Sequence, residues 1–168
     1  SGDGNDVVLT TLDPANPALV GTPNDDAFVA THNGTNVDIT LNTNLIYTIA
    51  PNVPFSIAGL TGDDSLTLNY AMGVFGPVTF NGNEGSEDGA GDELFINGNS
   101  FTSLDYDATG DGAGVLTFAG ANAVVNFSNL EPVTVTSLLG AVTIDIDPGN
   151  VAADPNTTTV TDALGPSM

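Results

Sequence analysis

Apolar residues alternate with small polar ones along this chain, in runs too short to make helices. Residues 54–68, PFSIAGLTGDDSLTL, hold two such runs on either side of an acidic glycine turn. The outline returns as PALVGTPNDDAFVA (17–30), PVTFNGNEGSEDGAGDELFI (77–96) and PVTVTSLLGAVTIDI (132–146). In three copies a proline is followed by apolar, hydroxyl, apolar: Phe55-Ser56-Ile57, Val78-Thr79-Phe80 and Val133-Thr134-Val135. A period of two sends alternate side chains to one face, the signature of a strand with one buried side. The Gly- and Asp-rich gaps supply turns, because Gly accepts positive φ and Asp bonds to its own backbone. The unit reads as strand, acidic turn, strand, repeated with variation.

Along the whole length the same rules predict about thirteen short strands, at 7–10, 27–31, 36–41, 45–50, 55–57, 65–70, 74–80, 93–96, 103–106, 114–118, 123–127, 133–135 and 142–146. A further candidate lies at 157–161. The dipeptide Asn33-Gly34 between two alternating runs predicts a two-residue antiparallel hairpin. No segment carries apolar residues at helical spacing, so helix content should be close to nil. The expected core includes Phe55, Ile57, Leu66, Leu68, Phe80, Phe95, Phe118 and Phe127. No shift in composition marks a boundary, so residues 1–168 read as a single all-β domain. Recurrence of the unit favours a parallel β-solenoid, a β-helix-like stack of short strands. The predicted hairpin keeps a β-sandwich as the alternative.

Charge changes the picture more than any motif. The chain has 21 Asp and Glu, no Lys and no Arg, for a formal charge of −21. Phosphate contacts need cations, so no nucleic-acid partner is expected. Adsorption to an anionic membrane is disfavoured on the same ground, and no apolar run reaches the length of about 18 residues that membrane insertion of a helix needs. There is no cysteine, hence no disulfide or thiol chemistry. The start at Ser1, without a methionine or signal-like segment, raises the expectation of a processed, exported protein at the cell surface or beyond. The absence of trypsin-type cleavage sites suits that setting. Self-repulsion of this size opposes a compact state, and bound metal cations or high external salt are the candidates to offset it.

Residues 1–9, SGDGNDVVL, resemble one nonapeptide of the RTX family, in which G-G-x-G-x-D-x-U-x units form a calcium-binding parallel β-roll. Gly2, Gly4, Asp6 and Val8 fall at the family's positions, with Ser1 in place of the first glycine. Gly62-Asp63-Asp64-Ser65-Leu66 and Gly91-Asp92-Glu93-Leu94 resemble fragments of the same turn, and VNFSNLEPVTV (125–135) resembles strand segments of large bacterial surface proteins. The nonapeptides are not in tandem, so each offers half a site. The resemblance implies structural calcium, with Asp6 at the family's aspartate position, and Asp3 beside it is a further candidate ligand.

Physical chemistry adds candidates of its own. Calcium takes six to eight oxygens from carboxylates, amides, carbonyls and water. Asn24, Asp25 and Asp26, then Asp63 and Asp64, then Glu87, Asp88 and Asp92 supply such oxygens in turns; Asp105, Asp107 and Asp111 flank another glycine turn. The plainer role for these residues is to shape turns and keep the surface wet. His32, beside Asn33-Gly34, reads as an exposed turn residue, and Tyr47, Tyr70 and Tyr106 as packing.

Catalysis finds little support. Acting on acidic sugars requires a cationic group that this chain lacks, there is no Trp to hold a neutral sugar, and no G-x-S-x-G elbow accompanies His32. A carbohydrate-active β-helix enzyme is therefore the remote alternative. The favoured expectation is a structural subunit of an extracellular bacterial fibre or surface layer. It would self-assemble head to tail as a homopolymer by exchange of terminal strands (about 1–16 and 154–168), stabilised by divalent cations. The alternative is a calcium-binding adhesin module with a sugar or surface-protein partner.

Overall fold

The computed structural model describes residues 13–83, 91–110, 112–119, 123–130, 133–136, 138–139 and 142–146. The nonapeptide at 1–9, the expected strands at 7–10 and 157–161, and the segment 154–168 lie outside these residues. The described chain forms β1 (Ala18–Val20), β2 (Ala27–His32), β3 (Val37–Leu41), β4 (Asn44–Ile49), β5 (Phe55–Ala58), β6 (Ser65–Asn69), β7 (Val78–Asn81) and β8 (Glu93–Asn97). Then follow β9 (Ser100–Phe101), β10 (Ser103–Gly110), β11 (Ala113–Ala119), β12 (Ala123–Ser128), β13 (Val133–Val135), β14 (Leu138–Leu139) and β15 (Val142–Ile146). Among the described residues there is no helix.

A seven-stranded sheet has the order β1-β5-β7-β12-β11-β10-β15, and a six-stranded sheet the order β13-β8-β6-β2-β3-β4, while β9 and β14 pair separately. In the first sheet β1, β5, β7 and β12 run parallel. In the second, β2, β6, β8 and β13 do the same. The chain therefore passes repeatedly from one sheet to the other, each repeat placing one strand in each. Two antiparallel insertions interrupt it, the β3–β4 pair after β2 and the β10–β11 pair before β12. Both sheets are thus mixed and contribute to one apolar core. This all-β arrangement fits a two-sheet sandwich as well as a stack of coils.

Register lines up the core. Leu19, Ile57, Phe80 and Phe127 are successive partners across the first sheet. Phe28, Leu66 and Leu94, and beside them Ala30, Leu68 and Ile96, are successive partners across the second, and all six are fully buried. Tyr70 extends the core with aromatic contacts to Phe75 at 4.4 Å and Phe101 at 5.8 Å between ring centroids.

Several expectations need correction. The copy beginning at Pro132 is out of phase: Val133-Thr134-Val135 pairs with Leu94-Phe95-Ile96, the second strand of its neighbour, not the first. The true counterpart of Val78-Thr79-Phe80 is Val125-Asn126-Phe127 in β12. Phe95 lies between inward-facing Leu94 and Ile96 and so faces outward, half-buried, whereas the other seven expected core residues are buried. The expected strand at 74–80 begins only at Val78, because Pro77 has no N–H to donate to a ladder.

The hairpin is present but its turn differs. Four residues, 33–36, join β2 to β3. Asn33 closes them by donating its N–H to Asn36 O and accepting from the N–H groups of Thr35 and Asn36 through Oδ1. The two-residue turn lies at Asn42-Thr43, between β3 and β4, with φ of 47° and 71°. Positive φ at both positions is the condition of the hairpin-forming type I′ turn.

Candidate functional site

Each of three turns that lead from the first sheet to the second starts with glycine and ends with aspartate: Gly21 to Asp26, Gly59 to Asp64, and Gly82 to Asp92. Parallel pairing continues into these turns. Gly21 donates to Ala58 O (2.8 Å), Gly59 to Asn81 O (2.9 Å) and Gly82 to Ser128 O (3.0 Å) on entry. On exit Ser65 donates to Asp26 O and Glu93 to Asp64 O, each at 2.8 Å. The aspartate side chains complete the ladder where the backbone cannot. Asp64 Oδ1 accepts the Asp26 N–H (2.8 Å), and Asp92 Oδ1 accepts the Asp64 N–H (2.6 Å). Asp26 in turn accepts from Thr22 N–H at Oδ2 and from Asn42 Nδ2 at Oδ1 (2.8 Å).

The three carboxylates are 2%, 1% and 1% exposed in chain order. Alternation explains why. Asp26 shares the inward parity of Phe28 and Ala30, Asp64 that of Leu66 and Leu68, and Asp92 that of Leu94 and Ile96. Glycine makes room for them. A methyl group on Gly59 would fall on the Asp64 carboxylate and within 2.8 Å of Gly82 O, and one on Gly82 would fall on Asp92 Oδ2. Only a glycine fits there.

Burial raises the Asp64 carboxyl from its ordinary 3.8 to about 7. The N–H of Asp26 works against that rise, and the negative charges of Asp92, Asp26 and Asp25 add to it. Asp64 Oδ2 has no hydrogen-bond partner among the described residues.

The other candidate ligands are placed differently. Asn24 and Asp25 are exposed, and Asp25 Oδ1 accepts from the N–H of half-buried Asp63 at 3.1 Å. Asp105 and Asp107 are exposed on β10, in register with Thr117 and Val115 of β11 and with Thr143 and Asp145 of β15. Asp3, Asp6, Glu87, Asp88 and Asp111 lie outside the described residues. Among the described residues no three or more His, Asp or Glu side chains are gathered so as to hold a metal ion.

His32 departs from its expected exposure. It closes β2 in a buried position, its Nδ1 accepts the Gly34 N–H at 3.0 Å, and its ring lies against Gly73, where a Cβ would approach Cε1 to 2.8 Å. On β3, Asp38 is held below the usual carboxylate range by hydrogen bonds from Asn33 and Thr48.

The sequence reading placed Asp26, Asp64 and Asp92 in turns but did not foresee that their side chains are buried and face inward. The signal was available: each directly precedes an alternating run and keeps its inward phase. Comparison with protein-family models, curated proteins and solved structures returned no match.

Proposed function

We propose that this chain is a non-catalytic structural module of an extracellular protein, a β-solenoid whose repeats stack as coils and whose copies join at their sheet edges. The observation that carries this reading is the parallel register that relates four successive repeats on both sheets. A coil that offers its neighbour the same backbone pattern on each side offers that pattern to a strand from another copy too.

Edges support the same reading. Among the described residues, β1 and β15 end one sheet and β13 and β4 the other. Strand addition at the first or last repeat is heterologous, so it propagates into a filament unless the rotation closes a ring. Main-chain bonds suit such a junction, because the chain has no Lys or Arg for intersubunit ion pairs. Divalent cations in the medium would screen exposed carboxylates such as Asp13, Asp105 and Asp107 and so favour assembly.

Electron microscopy and sedimentation of the purified chain, with calcium and with chelator, test this. Fibres are expected, more abundant with calcium, and deletion of residues 1–12 or of 154–168 should abolish them while the β circular dichroism persists. Monodisperse particles in both conditions, or fibres from both truncated chains, would overturn assembly through terminal strands.

A further inference from the structure

We propose that the stacked aspartates form a proton-binding site, in which Asp64 carries a proton in the folded protein and its loss loosens the turns that bind one repeat to the next. The inference holds whether or not copies assemble.

The geometry puts Asp64 in the middle of the ladder. Its Oδ1 is committed to the Asp26 N–H. Its Oδ2 is buried without a hydrogen-bond partner among the described residues, in the space that a methyl group on Gly59 would fill. A buried carboxylate oxygen with no donor among the described residues is unfavourable when ionised. A proton on Oδ2 removes that cost by making the group neutral.

Among the described residues, the charged groups that act on Asp64 all have the same sign. Asp25 and Asp26 face it from the turn before β2 and Asp92 from the turn before β8. No Lys or Arg exists anywhere in the chain to neutralise an anion there, and the one imidazole, His32, sits at the far end of β2. Like charges in a shared site resist joint ionisation.

The sign of the pH effect follows. The folded state binds this proton more tightly than the unfolded chain does: 3.8 to about 7 is about a thousandfold in affinity. A carboxyl raised on folding contributes stability that is complete below about pH 4 and is lost as pH rises through about 7. The turns should therefore be tightest in mildly acidic surroundings and loosen near neutrality.

Thermal melts from pH 4.5 to 8.5 in high salt, which screens the general repulsion of surface carboxylates, test the proposal on the full chain. Asp64→Asn supplies a permanent donor in place of the proton, and Asp105→Asn serves as an exposed control. The unmodified chain should melt progressively lower as pH rises from 5 to 8. Asp64→Asn should flatten the profile and melt above the unmodified chain at pH 8, while Asp105→Asn follows the unmodified chain. Parallel profiles for Asp64→Asn and the unmodified chain would overturn the proposal, as would a lower melting point for Asp64→Asn at pH 8. Carboxyl carbon NMR of the unmodified chain gives an answer independent of any variant. One Asp resonance titrating near 7 is expected, and none titrating above about 5 would overturn the proposal.

Discussion

The N–H of Asp64 donates to Oδ1 of Asp92 at 2.6 Å, although 28 residues separate the two in the chain. With the matching bond from Asp26 to Asp64, it ties three successive turns into one column of buried carboxylates. Hydrogen bonds to ionised acceptors are stronger than neutral ones, yet burying an anion without a cation is costly. The N–H donors to Oδ1 of Asp64 and Asp92 offset part of that cost, and the glycines opposite leave the space that the side chains occupy.

Replacing Gly59 by Ala is expected to destabilise the fold by about 1–3 kcal/mol or more, the usual penalty for overpacking. Its Cβ would collide with the Asp64 carboxylate and with the backbone at Gly82, and backbone does not swing aside. Urea unfolding of the variant checks this. Unchanged stability would mean that the carboxylate does not lie against Gly59.

Phe127 and Phe95 should behave as opposites. Phe127→Ala removes a ring that lies in register with Phe80 and contacts Tyr106 at 5.9 Å, and should cost roughly 3–5 kcal/mol. Phe95 is outward-facing and half-buried, so Phe95→Ala should cost about 1 kcal/mol or less. Equal losses in chemical denaturation would contradict the assignment of faces on β8.

Thr43 occupies a turn position with φ of 71°, where a β-branched side chain is strained. Its neighbour Asn42 is held by tertiary bonds: its N–H donates to Ala27 O, its Oδ1 accepts the Ala27 N–H, and its Nδ2 donates to Asp26. Thr43→Gly should raise stability by about 0.5–1 kcal/mol, the relief of strain outweighing the added freedom of the unfolded chain. A lower melting temperature would show that the threonine side chain contributes more than its backbone strain costs.

The Tyr70 hydroxyl is buried among Phe75, Phe101 and Phe118 with no hydrogen-bond partner among the described residues. Removal of an unsatisfied polar group is neutral or favourable. Tyr70→Phe should therefore leave stability unchanged or increase it by about 1 kcal/mol, as read from thermal melts. A loss of more than about 1 kcal/mol would indicate that the hydroxyl is solvated or bonded in solution.

The sequence by itself determined most of the strands, because alternation is a property of neighbouring residues and needs no partner. It missed the short strands β1, β9 and β14, which at two or three residues are too brief to show a period. It also determined which residues of each run face inward, and Phe95 was misassigned only where aromatic character was preferred over parity. Zero Lys and Arg meant that any buried carboxylate would lack a lysine or arginine partner. Tertiary structure alone decided the phase of the last repeat, because Val133-Thr134-Val135 and Val125-Asn126-Phe127 both satisfy the local pattern and only pairing with Leu94–Ile96 or Val78–Phe80 distinguishes them. It decided the two-residue turn as well, since Thr43 takes positive φ against its own preference while Asn42 is anchored to Ala27 and Asp26 from another strand. The aspartate column is the clearest case. Asp25 and Asp26 are adjacent in the chain, but one lies in water and the other is desolvated against a neighbouring repeat. Desolvation depends on what covers a residue, and what covers Asp64 comes from turns 28 and 38 residues away.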